Sequence, residues 1–451
     1  MDIAERFVAR VRDLIDGRRV ILAGVPLAGS TRRIAQLRAL GSDRCLVVAN
    51  GLGTGDLPDP VDADHVIVPT PARDIIDEFR QLERLLADPP AEVRRVIEAF
   101  DPDRCALVLT APYAASAWLG DRPCYGARRP EWVTLEDKTI GDAIFDAAAV
   151  RRPPSEVVAA RRSALLASAA RLDRGQGTVW AGDAREGFNG GGVLVRWIRS
   201  DAPGEDVDEA TSRFATQCDR VRVAPFVDGV PCSIHGFVCA DGVAVLRPVE
   251  MVNLRRPRGA RFQYAGAATY FDPPAVDRAE MRRAAHRVGR HLSSHHDLRG
   301  AFTVDGILGA DGWLPTEVNP RFGGGLGYTN VLYPDLPFDL IHHLVVAGDG
   351  AEITAADVEA LLLPAADDTR WGGGWATVAV PFDRTQTEPV LFDGDLCRSV
   401  ARGEVADGEL VRGPGAEGGF VRLTLYPHRT PSGPSVAPRV AAALALSLIH
   451  I

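Results

Sequence analysis

A carboxylate, an amide and a guanidinium occupy alternate positions of the segment Glu317-Val318-Asn319-Pro320-Arg321. Alternate side chains of a β-strand share one face, so Glu317, Asn319 and Arg321 are expected to project together. A preceding strand should bring Asp305 beside them across a tight Asp-Gly turn. Magnesium prefers a few such oxygen ligands and completes its octahedron with water and phosphate. We therefore predict metal ligands at Asp305, Glu317 and Asn319, with Arg321 on phosphate. A strand with a solvated polar face is the alternative.

A single lysine stands out in the composition. The chain has 51 Lys and Arg residues, and Lys138 is the only lysine among them. An ammonium group is a compact point charge that the planar fork of arginine does not replace. Lys138 follows Asp137 just before a predicted helix, where its side chain can reach a phosphate. Chance survival of one lysine codon is the alternative interpretation.

Two further segments suit a nucleotide. Residues 187–192 read Gly-Phe-Asn-Gly-Gly-Gly between two short predicted strands, which indicates a hairpin whose tip can lay backbone N–H groups over phosphates. Residues 223–229 read Val-Ala-Pro-Phe-Val-Asp-Gly and can offer backbone hydrogen bonds to an adenine edge. Each signal is weak by itself, because hairpins and glycine turns are common. Their order and spacing relative to the segment 317–321 together predict an ATP site.

Strands alternate with helices at the start of the chain, which predicts a parallel α/β layer ending near residue 125. Its first turn is not Gly-x-Gly-x-x-Gly, so a dinucleotide site is only weakly indicated. We then expect helices at 137–150 and 155–171, an antiparallel sheet over 220–252, a helix at 276–294 and a hairpin over 301–319. A small α+β piece should follow, with a helix near 354–362 and strands at 375–380 and 419–425.

Bulk properties exclude several classes of function. The net charge of −9 and the pI of about 5.6 argue against a nucleic-acid-binding surface, which requires a basic face. The sequence lacks both a long apolar run and the apolar centre of a signal peptide, so neither a membrane span nor secretion is predicted. Seven scattered cysteines without a Cys-x-x-Cys pair predict reduced thiols and a cytoplasmic location.

From Lys138 to about Asn330 the chain resembles the ATP-grasp superfamily. Asp137-Lys138 is similar to its first ATP lysine, residues 178–197 to its glycine-rich lid, and residues 221–238 to its adenine hinge and the strand that follows. The resemblance supports the metal ligands named above. It also implies nucleotide contacts from the lid and hinge, which we assign to Lys138, Arg185, Gly190, Gly191, Gly192, Pro225, Phe226, Val227 and Asp228.

The resemblance also implies the domain plan. It predicts an α/β and α+β multidomain fold with a Rossmann-like pre-ATP-grasp domain at 1–125 and a small C-terminal α+β domain at 351–451. Between them lies an ATP-grasp domain of two α+β subdomains at 126–350, with its lid at about 172–215. Within the superfamily, the lid motif and the segments after the hinge are most similar to peptide ligases of the pheganomycin-biosynthesis type.

The sequence departs from the superfamily pattern in the nucleotide half of the site. Many ATP-grasp enzymes carry a second lysine on the lid strand, where this chain has Trp180 and its neighbours. Arg185 and Arg196 are the candidate replacements, and the sequence does not choose between them. The hinge also lacks a clear acidic residue near the ribose, since the nearest candidates are Asp228 and the neutral Ala224.

Other polar residues are assigned as substrate candidates. The basic run 255–261 is either a solvated loop or a clamp for a substrate carboxylate or phosphate, and Arg255 and Arg256 belong to it. Arg247 and Glu250 lie upstream on the same predicted sheet and are placed toward the cleft. His235 is as suited to a core hydrogen bond as to ligand contact. The adjacent His295 and His296 do not share a helix face and are expected at the surface.

The function predicted from these features is an ATP-dependent carboxylate–amine ligase that uses Mg²⁺, with Mn²⁺ as a possible substitute. An acyl phosphate would be the intermediate, with Lys138 and Arg321 stabilising the phosphates. Amino acids or peptides are the implied substrates, in natural-product biosynthesis, and a homodimer is left open. A catalytically silent ATP-binding regulator is the alternative that the missing lid lysine suggests. A dinucleotide oxidoreductase built on the first domain is a third.

Overall fold

The structure is a computed structural model that describes residues 2–24, 26–70, 72, 75–183, 185, 190, 192–255, 259–394, 396–415 and 418–449. Its first part is a parallel α/β layer with strand order β3-β2-β1-β4. The elements are α1 (Ile3–Ile15), β1 (Arg19–Ala23), α2 (Leu27–Ala39), β2 (Arg44–Ala49), β3 (Ala63–Ile67), α3 (Ile75–Ala87), α4 (Ala91–Phe100) and β4 (Leu107–Thr110). Strands β1, β2 and β4 are runs of mostly buried, largely β-branched and aliphatic residues, as a sheet covered on both faces requires, whereas the edge strand β3 is more exposed. The predicted parallel layer is confirmed.

A short connecting region follows and carries the only lysine. It contains β5 (Trp118–Leu119), β6 (Arg122–Pro123), α5 (Pro130–Thr134) and α6 (Gly141–Ala147). The helix predicted over 137–150 is therefore wrong at both ends, since α6 spans only 141–147, and the residues just before it form turns. Thr139 explains the late start, because its backbone N–H and its hydroxyl both donate to Asp137 Oδ1, at 2.8 and 2.7 Å. Lys138 lies inside this turn.

The lid region is an antiparallel sheet of order β7-β10-β8-β9 with two helices on one face. Its elements are β7 (Glu156–Ala159), α7 (Arg162–Leu172), β8 (Thr178–Gly182), β9 (Val195–Ile198), α8 (Gly204–Gln217) and β10 (Arg220–Pro225). The prediction of a helix over 155–171 is wrong at its start. Glu156-Val157-Val158-Ala159 pairs with β10 as an edge strand, and the helix begins only at Arg162.

The central sheet is antiparallel, with order β13-β12-β11-β14-β15. Its elements are β11 (Gly229–Val238), β12 (Val243–Arg255), β13 (Phe262–Ala268), α9 (Ala275–His296), β14 (Gly300–Gly309), β15 (Gly312–Asn319), a 3₁₀ turn (Gly324–Tyr328), α10 (Thr329–Leu332) and α11 (Phe338–Ala347). The single antiparallel sheet predicted over 220–252 is wrong in part, because β10 belongs to the lid sheet. The turn at Asp228 and Gly229 therefore joins two sheets.

The last part is an antiparallel sheet of order β16-β20-β19-β17-β18, packed against a terminal helix. Its elements are α12 (Ala355–Asp368), β16 (Gly373–Val378), β17 (Gln386–Asp393), β18 (Leu396–Ser399), β19 (Gly408–Gly415), β20 (Gly418–Leu425), a 3₁₀ turn (Pro427–Arg429) and α13 (Ala437–Ile449). Sequence patterns predicted only the strands β16 and β20. The α+β class of this region is confirmed.

Hydrophobic packing joins these parts around the central sheet. One core connects α1, α2 and the parallel sheet to α11, α12 and the central sheet. A second lies between α6, α9 and the opposite face of the central sheet. The apolar area that these cores bury stabilises the mutual placement of the elements, which sets the geometry of the polar side chains at their edges.

All seven cysteines are free thiols. No helix in the described part of the chain is long and apolar enough to cross a bilayer.

Candidate functional site

The hairpin of β14 and β15 brings the predicted metal ligands together. Asp305 and Glu317 are directly opposed in its register, and Thr303 is opposed to Asn319. Val318, which alternates with these polar residues, is buried in the core against α9. Opposed residues of an antiparallel pair share one face, so the carboxylates of Asp305 and Glu317 lie on the face away from α9. The pairing predicted from the Asp-Gly turn is confirmed.

Asp305 lies in a network of hydrogen bonds at this face. Its Oδ1 accepts from Ser233 Oγ at 2.6 Å, and its Oδ2 accepts from Asn319 Nδ2 at 2.8 Å. Burial, together with the neighbouring charge of Glu317, raises the pKa of Asp305 to about 6. Two carboxylates in a desolvated place disfavour each other's ionised form, and a cation between them removes that penalty.

Lys138 meets Glu317 at the edge of the hairpin. Its Nζ lies 2.6 Å from Glu317 Oε1, and its side chain is only 8% exposed. The turn before α6 therefore places the ammonium group on the predicted metal ligand itself. The sequence predicted that Lys138 reaches a phosphate. In the structure its ammonium group contacts Glu317, the carboxylate predicted to bind the metal ion that the phosphate would share.

Arg321 is held by acidic and amide oxygens. Its Nε donates to Glu136 Oε1 at 2.9 Å, and its Nη2 donates to Asn319 Oδ1 at 3.2 Å. Glu136 also accepts from Arg128 Nη2 at 2.6 Å. Burial alone would raise the pKa of Glu136, but Arg321 and Arg128 together lower it. Sequence reasoning missed Glu136 and Arg128, although Glu136 stands two residues before Lys138.

The glycines after Arg321 pack over a buried histidine. A Cβ atom on Gly325 would overlap the His235 ring, and one on Gly323 would lie 2.7 Å from Thr303 Oγ1. His235 Nδ1 hydrogen-bonds to that hydroxyl at 2.8 Å. Burial, helped by the charge of Arg321, lowers the pKa of His235 to about 3, so the ring is neutral at ordinary pH. These glycines therefore permit close packing on His235, which takes the hydrogen-bonding role considered for it.

The lid hairpin forms as predicted, with β8 and β9 paired antiparallel. Gly190 and Gly192 are partly exposed at its tip, and Gly191 lies outside the described residues. Arg185 pairs with Asp219 at 3.2 Å on the surface. Arg196 is fully buried and pairs with Glu209 on α8 at 2.9 Å. Both candidate replacements for the lid lysine are therefore engaged with carboxylates of the lid itself.

The predicted hinge connects the lid to the central sheet. Pro225 ends β10, and the backbone N–H of Phe226 donates to Gly177 O at 3.0 Å. The Phe226 ring stacks on Trp197 with centroids 4.4 Å apart. Arg255 lies over both rings, with its Cζ 5.0 Å from the Trp197 centroid and 5.5 Å from that of Phe226. Val227, which is partly buried, and Asp228, which is exposed, complete the link, and Arg256 lies outside the described residues.

Arg247 and Glu250 have partners far along the chain. The Arg247 guanidinium is 3% exposed and pairs with Asp272 at 2.5 Å and with Asp367. Glu250 accepts from the Ser435 hydroxyl and from the backbone N–H of Val436 at 3.0 Å. These contacts connect β12 to the last part of the chain. Arg247 and Glu250, both predicted to contact substrate, therefore form ion pairs or hydrogen bonds within the folded chain.

A cavity of about 230 Å³ lies at the carboxyl ends of β1 and β4. That position is the point where strand order reverses, and ligands of open α/β sheets bind there. Its walls include Ala23, Arg33, Ala111, Tyr113, Asn330 and His343. Tyr113 O accepts from Arg128 Nη1 at 3.2 Å. Because Arg128 also bonds Glu136, the cavity wall is connected to the residue that holds Arg321.

The polar side chains of the β14–β15 hairpin suit a magnesium ion that also binds a phosphate ligand. Within the described residues, no three His, Cys, Asp or Glu side chains are placed to hold a metal ion by themselves. The hairpin offers two carboxylates and one amide oxygen instead. Magnesium commonly takes one or two carboxylates and completes its shell with water and substrate phosphates.

Solved structures with the same architecture are found across most of the chain. No protein-family model matches the sequence, and no curated protein matches it either. The chain is similar to the biotin carboxylase–β,γ-ATP complex from Campylobacter jejuni, with TM-score 0.57 and 11% identity over 92% of this chain and 88% of that one. It is similar to the L-amino acid ligase from Bacillus licheniformis, with TM-score 0.52 and 15% identity over 91% and 94%.

A third similar structure is the biotin carboxylase domain of Hydrogenobacter thermophilus 2-oxoglutarate carboxylase in complex with MgADP and bicarbonate. Its TM-score is 0.51, with 11% identity over 91% of this chain and 86% of that one. The chain therefore has the fold of ATP-grasp enzymes, with a parallel-sheet N-terminal part and antiparallel sheets after it. The predicted fold class is confirmed, and at these identities the likeness establishes the fold alone.

Proposed function

We propose that this chain is an ATP-dependent carboxylate–amine ligase with its phosphate chemistry at the β14–β15 hairpin. The observation that carries the proposal is the convergence of Asp305, Glu317 and Asn319 with the cations Lys138 and Arg321. Carboxylates beside fixed cations suit phosphoryl transfer, where positioning and charge neutralisation are the main contributions. The similar L-amino acid ligase and biotin carboxylase structures support this choice among the functions that the fold can host.

The proposed ligation has two steps. A substrate carboxylate oxygen attacks the γ-phosphorus of ATP, and the bond to ADP breaks. An amine then attacks the resulting acyl phosphate, losing a proton as phosphate leaves, and an amide remains. Neither step needs a nucleophilic side chain of the protein. Magnesium, which Asp305, Glu317 and Asn319 would hold, supplies neutralisation and alignment of the phosphate oxygens when bound.

The residues of the chain have separate roles in this scheme. Arg321 stabilises charge on the transferred phosphoryl group, and Glu136 fixes its orientation through the 2.9 Å hydrogen bond. Lys138, whose ammonium group pairs with Glu317, would neutralise phosphate oxygens of a bound nucleotide. Lid and hinge contacts are proposed at Gly190, Gly192 and the segment 225–228. We place the organic substrates in the cavity beside Tyr113, because Arg128 connects it to Glu136 and Arg321.

Amino acids or peptides are the proposed substrates, in natural-product assembly of the kind that pheganomycin-type peptide ligases perform. The test is a screen of amino acid and dipeptide pairs for ADP release, with mass spectrometry of the products. We expect ADP release to require both a carboxylate and an amine donor, together with Mg²⁺.

Glu317→Gln is the matching variant, because the amide keeps the shape and removes the charge that the metal and Lys138 require. We expect turnover to fall by about 100-fold or more. Glu404→Gln, at an exposed carboxylate in the last part of the chain, is the control. Full activity of Glu317→Gln would refute the metal assignment. ADP release that ignores the amine across the whole panel would refute the ligase.

A further inference from the structure

Ala181 and Arg222 lie on the face of the lid sheet that points away from α7 and α8. Trp180 and Val223 are opposed in the pairing of β8 with β10, and both are buried in the core that α7 and α8 form with the sheet. Ala181 and Arg222, the next opposed pair, must therefore project from the other face. The Arg222 side chain is only 7% exposed there.

That face lies over the segment that carries Lys138. Arg222 Nε donates to Asp142 Oδ2 at 2.9 Å, near the start of α6. Two residues earlier on the same face, Arg220 Nη2 lies 3.9 Å from Asp137 Oδ2. The two arginines therefore meet carboxylates on both sides of Lys138, and β10 brings a buried guanidinium toward the site from the lid.

The Arg222 guanidinium is only partly satisfied. Its Nη2 is buried and has no hydrogen-bond partner among the described residues. Asp142 Oδ2 accepts from Arg222 Nε and from the Ser155 hydroxyl, at 2.9 and 2.5 Å, so the carboxylate bonds the guanidinium through Nε and leaves Nη2 unbonded. A buried donor without an acceptor is costly, and an acceptor atom of a bound ligand would remove that cost.

We propose that Arg222 binds phosphate oxygens of the nucleotide, as the lid's cationic contact opposite Lys138. The inference rests on the proposed function, because it assigns a phosphate-bearing ligand to that site. A guanidinium presents a planar set of donors that matches a phosphate oxygen pair, and the contact of Asp142 with Nε leaves Nη2 to donate to a ligand. Arg185 and Arg196 do not qualify, since the first is paired on the surface and the second is buried on the helix side of the sheet.

The test is binding of Mg–ADP and of adenosine, measured by calorimetry on the full chain. Arg222→Met keeps much of the apolar stem and removes the fork. We expect it to weaken Mg–ADP binding by about 10- to 100-fold, as the loss of a charge-assisted hydrogen bond does, and to change adenosine binding by less than about 2-fold. Arg162→Ala is the matched control, an exposed lid arginine that pairs with Asp208 on the helix side of the sheet. Its Mg–ADP affinity should equal that of the wild type.

A second variant separates phosphate binding from a merely structural ion pair. Asp142→Asn removes the carboxylate and keeps the Arg222 fork, so we expect Mg–ADP affinity within about 3-fold of the wild type. The double variant Asp142→Asn/Arg222→Met leaves no unpaired charge and should match Arg222→Met in binding, whatever the single variant does to folding.

The outcomes distinguish this inference from the function on which it rests. Equal affinity of Arg222→Met and wild type for Mg–ADP refutes the role of Arg222 and leaves the nucleotide site in place. An equal loss of Mg–ADP affinity in Asp142→Asn and Arg222→Met refutes it in favour of a structural pair, whether or not adenosine binding is lost as well. If the wild-type chain binds neither Mg–ADP nor adenosine, the proposed function is refuted, and this inference is refuted with it.

Discussion

The Nζ atom of Lys138 lies 2.6 Å from Oε1 of Glu317 although the two residues are far apart in the sequence. One is the only lysine of the chain, and the other is the carboxylate at the centre of the candidate metal site. The ammonium group thus satisfies a carboxylate whose side chain is 25% exposed and which Asp305 opposes with a like charge.

The first prediction concerns the identity of that cation. Lys138→Arg keeps the charge but puts a planar fork where the side chain is 8% exposed, so we expect kcat/KM for ATP to fall by about 100-fold. ADP release measures it, with thermal unfolding to confirm that the variant is folded. Because the chain has no other lysine, amine-directed labelling followed by peptide mass spectrometry reports on Lys138 apart from the α-amino group. An arginine variant with wild-type turnover would contradict the prediction.

Much of the metal half of the site follows from local sequence. Strand alternation and the Asp-Gly turn determine which side chains of β14 and β15 face each other, so Asp305 and Glu317 could be paired from their spacing. Glu136 and Arg128 were missed because their hydrogen bonds connect Arg321 and Tyr113 to a loop that no local pattern places. Lys138 was selected by its rarity, and its actual partner was not foreseen.

The nucleotide half was harder to predict for a topological reason. The run 220–252 looks like successive hairpin strands, yet β10 pairs with β7 and β8 while β11 belongs to the central sheet. Which way Arg222 points depends on that pairing. Glu156-Val157-Val158-Ala159 was assigned to a helix because the alanine-rich segment after it has no glycine or proline to mark a boundary. Because the sequence pattern placed β10 with β11 and not with β8, the face on which Arg222 lies could not be assigned from the sequence.

The second prediction tests the packing of the glycine turn on His235. Gly325→Ala places a methyl group against the ring, and we expect unfolding stability to fall by about 1–3 kcal/mol. His235→Ala in the same chain removes the obstacle, so the double variant should recover part of the loss. Urea unfolding of the single and double variants measures the coupling. Additive losses would show that the turn and the ring are independent.

The third prediction concerns the cavity beside β1 and β4. Ala111→Phe should fill much of its volume, because Ala111 forms part of its wall. We expect KM for the organic substrate to rise by about 10-fold while KM for ATP stays within about 2-fold. Steady-state kinetics with the best pair from the ADP-release screen separates the two. The reverse split, with ATP affected and the organic substrate unaffected, would place the organic site elsewhere.

The fourth prediction is a sensitivity of the lid to acid. Hydrogen bonds from Arg196, with further help from Arg213, lower the pKa of Glu209 from its ordinary value of 4.5 to about 2, against the opposing effect of burial. A carboxyl group whose pKa is lower in the folded state stabilises that state fully above pH 4.5, and this stabilisation is lost as the pH falls through about 2. The lid should therefore lose stability over that interval.

Glu209→Gln removes this dependence and leaves the fully buried guanidinium of Arg196 without a charged partner on α8. We expect the variant to be less stable than the wild type at pH 7 and the difference to shrink as the pH falls from 4.5 toward 2. Urea unfolding at pH 7, 4.5 and 3 measures it, and Glu205→Gln in the first turn of the same helix is the matched control. A stability gap that stays constant across those three pH values would show that the Arg196–Glu209 pair does not hold the lid sheet to its helix.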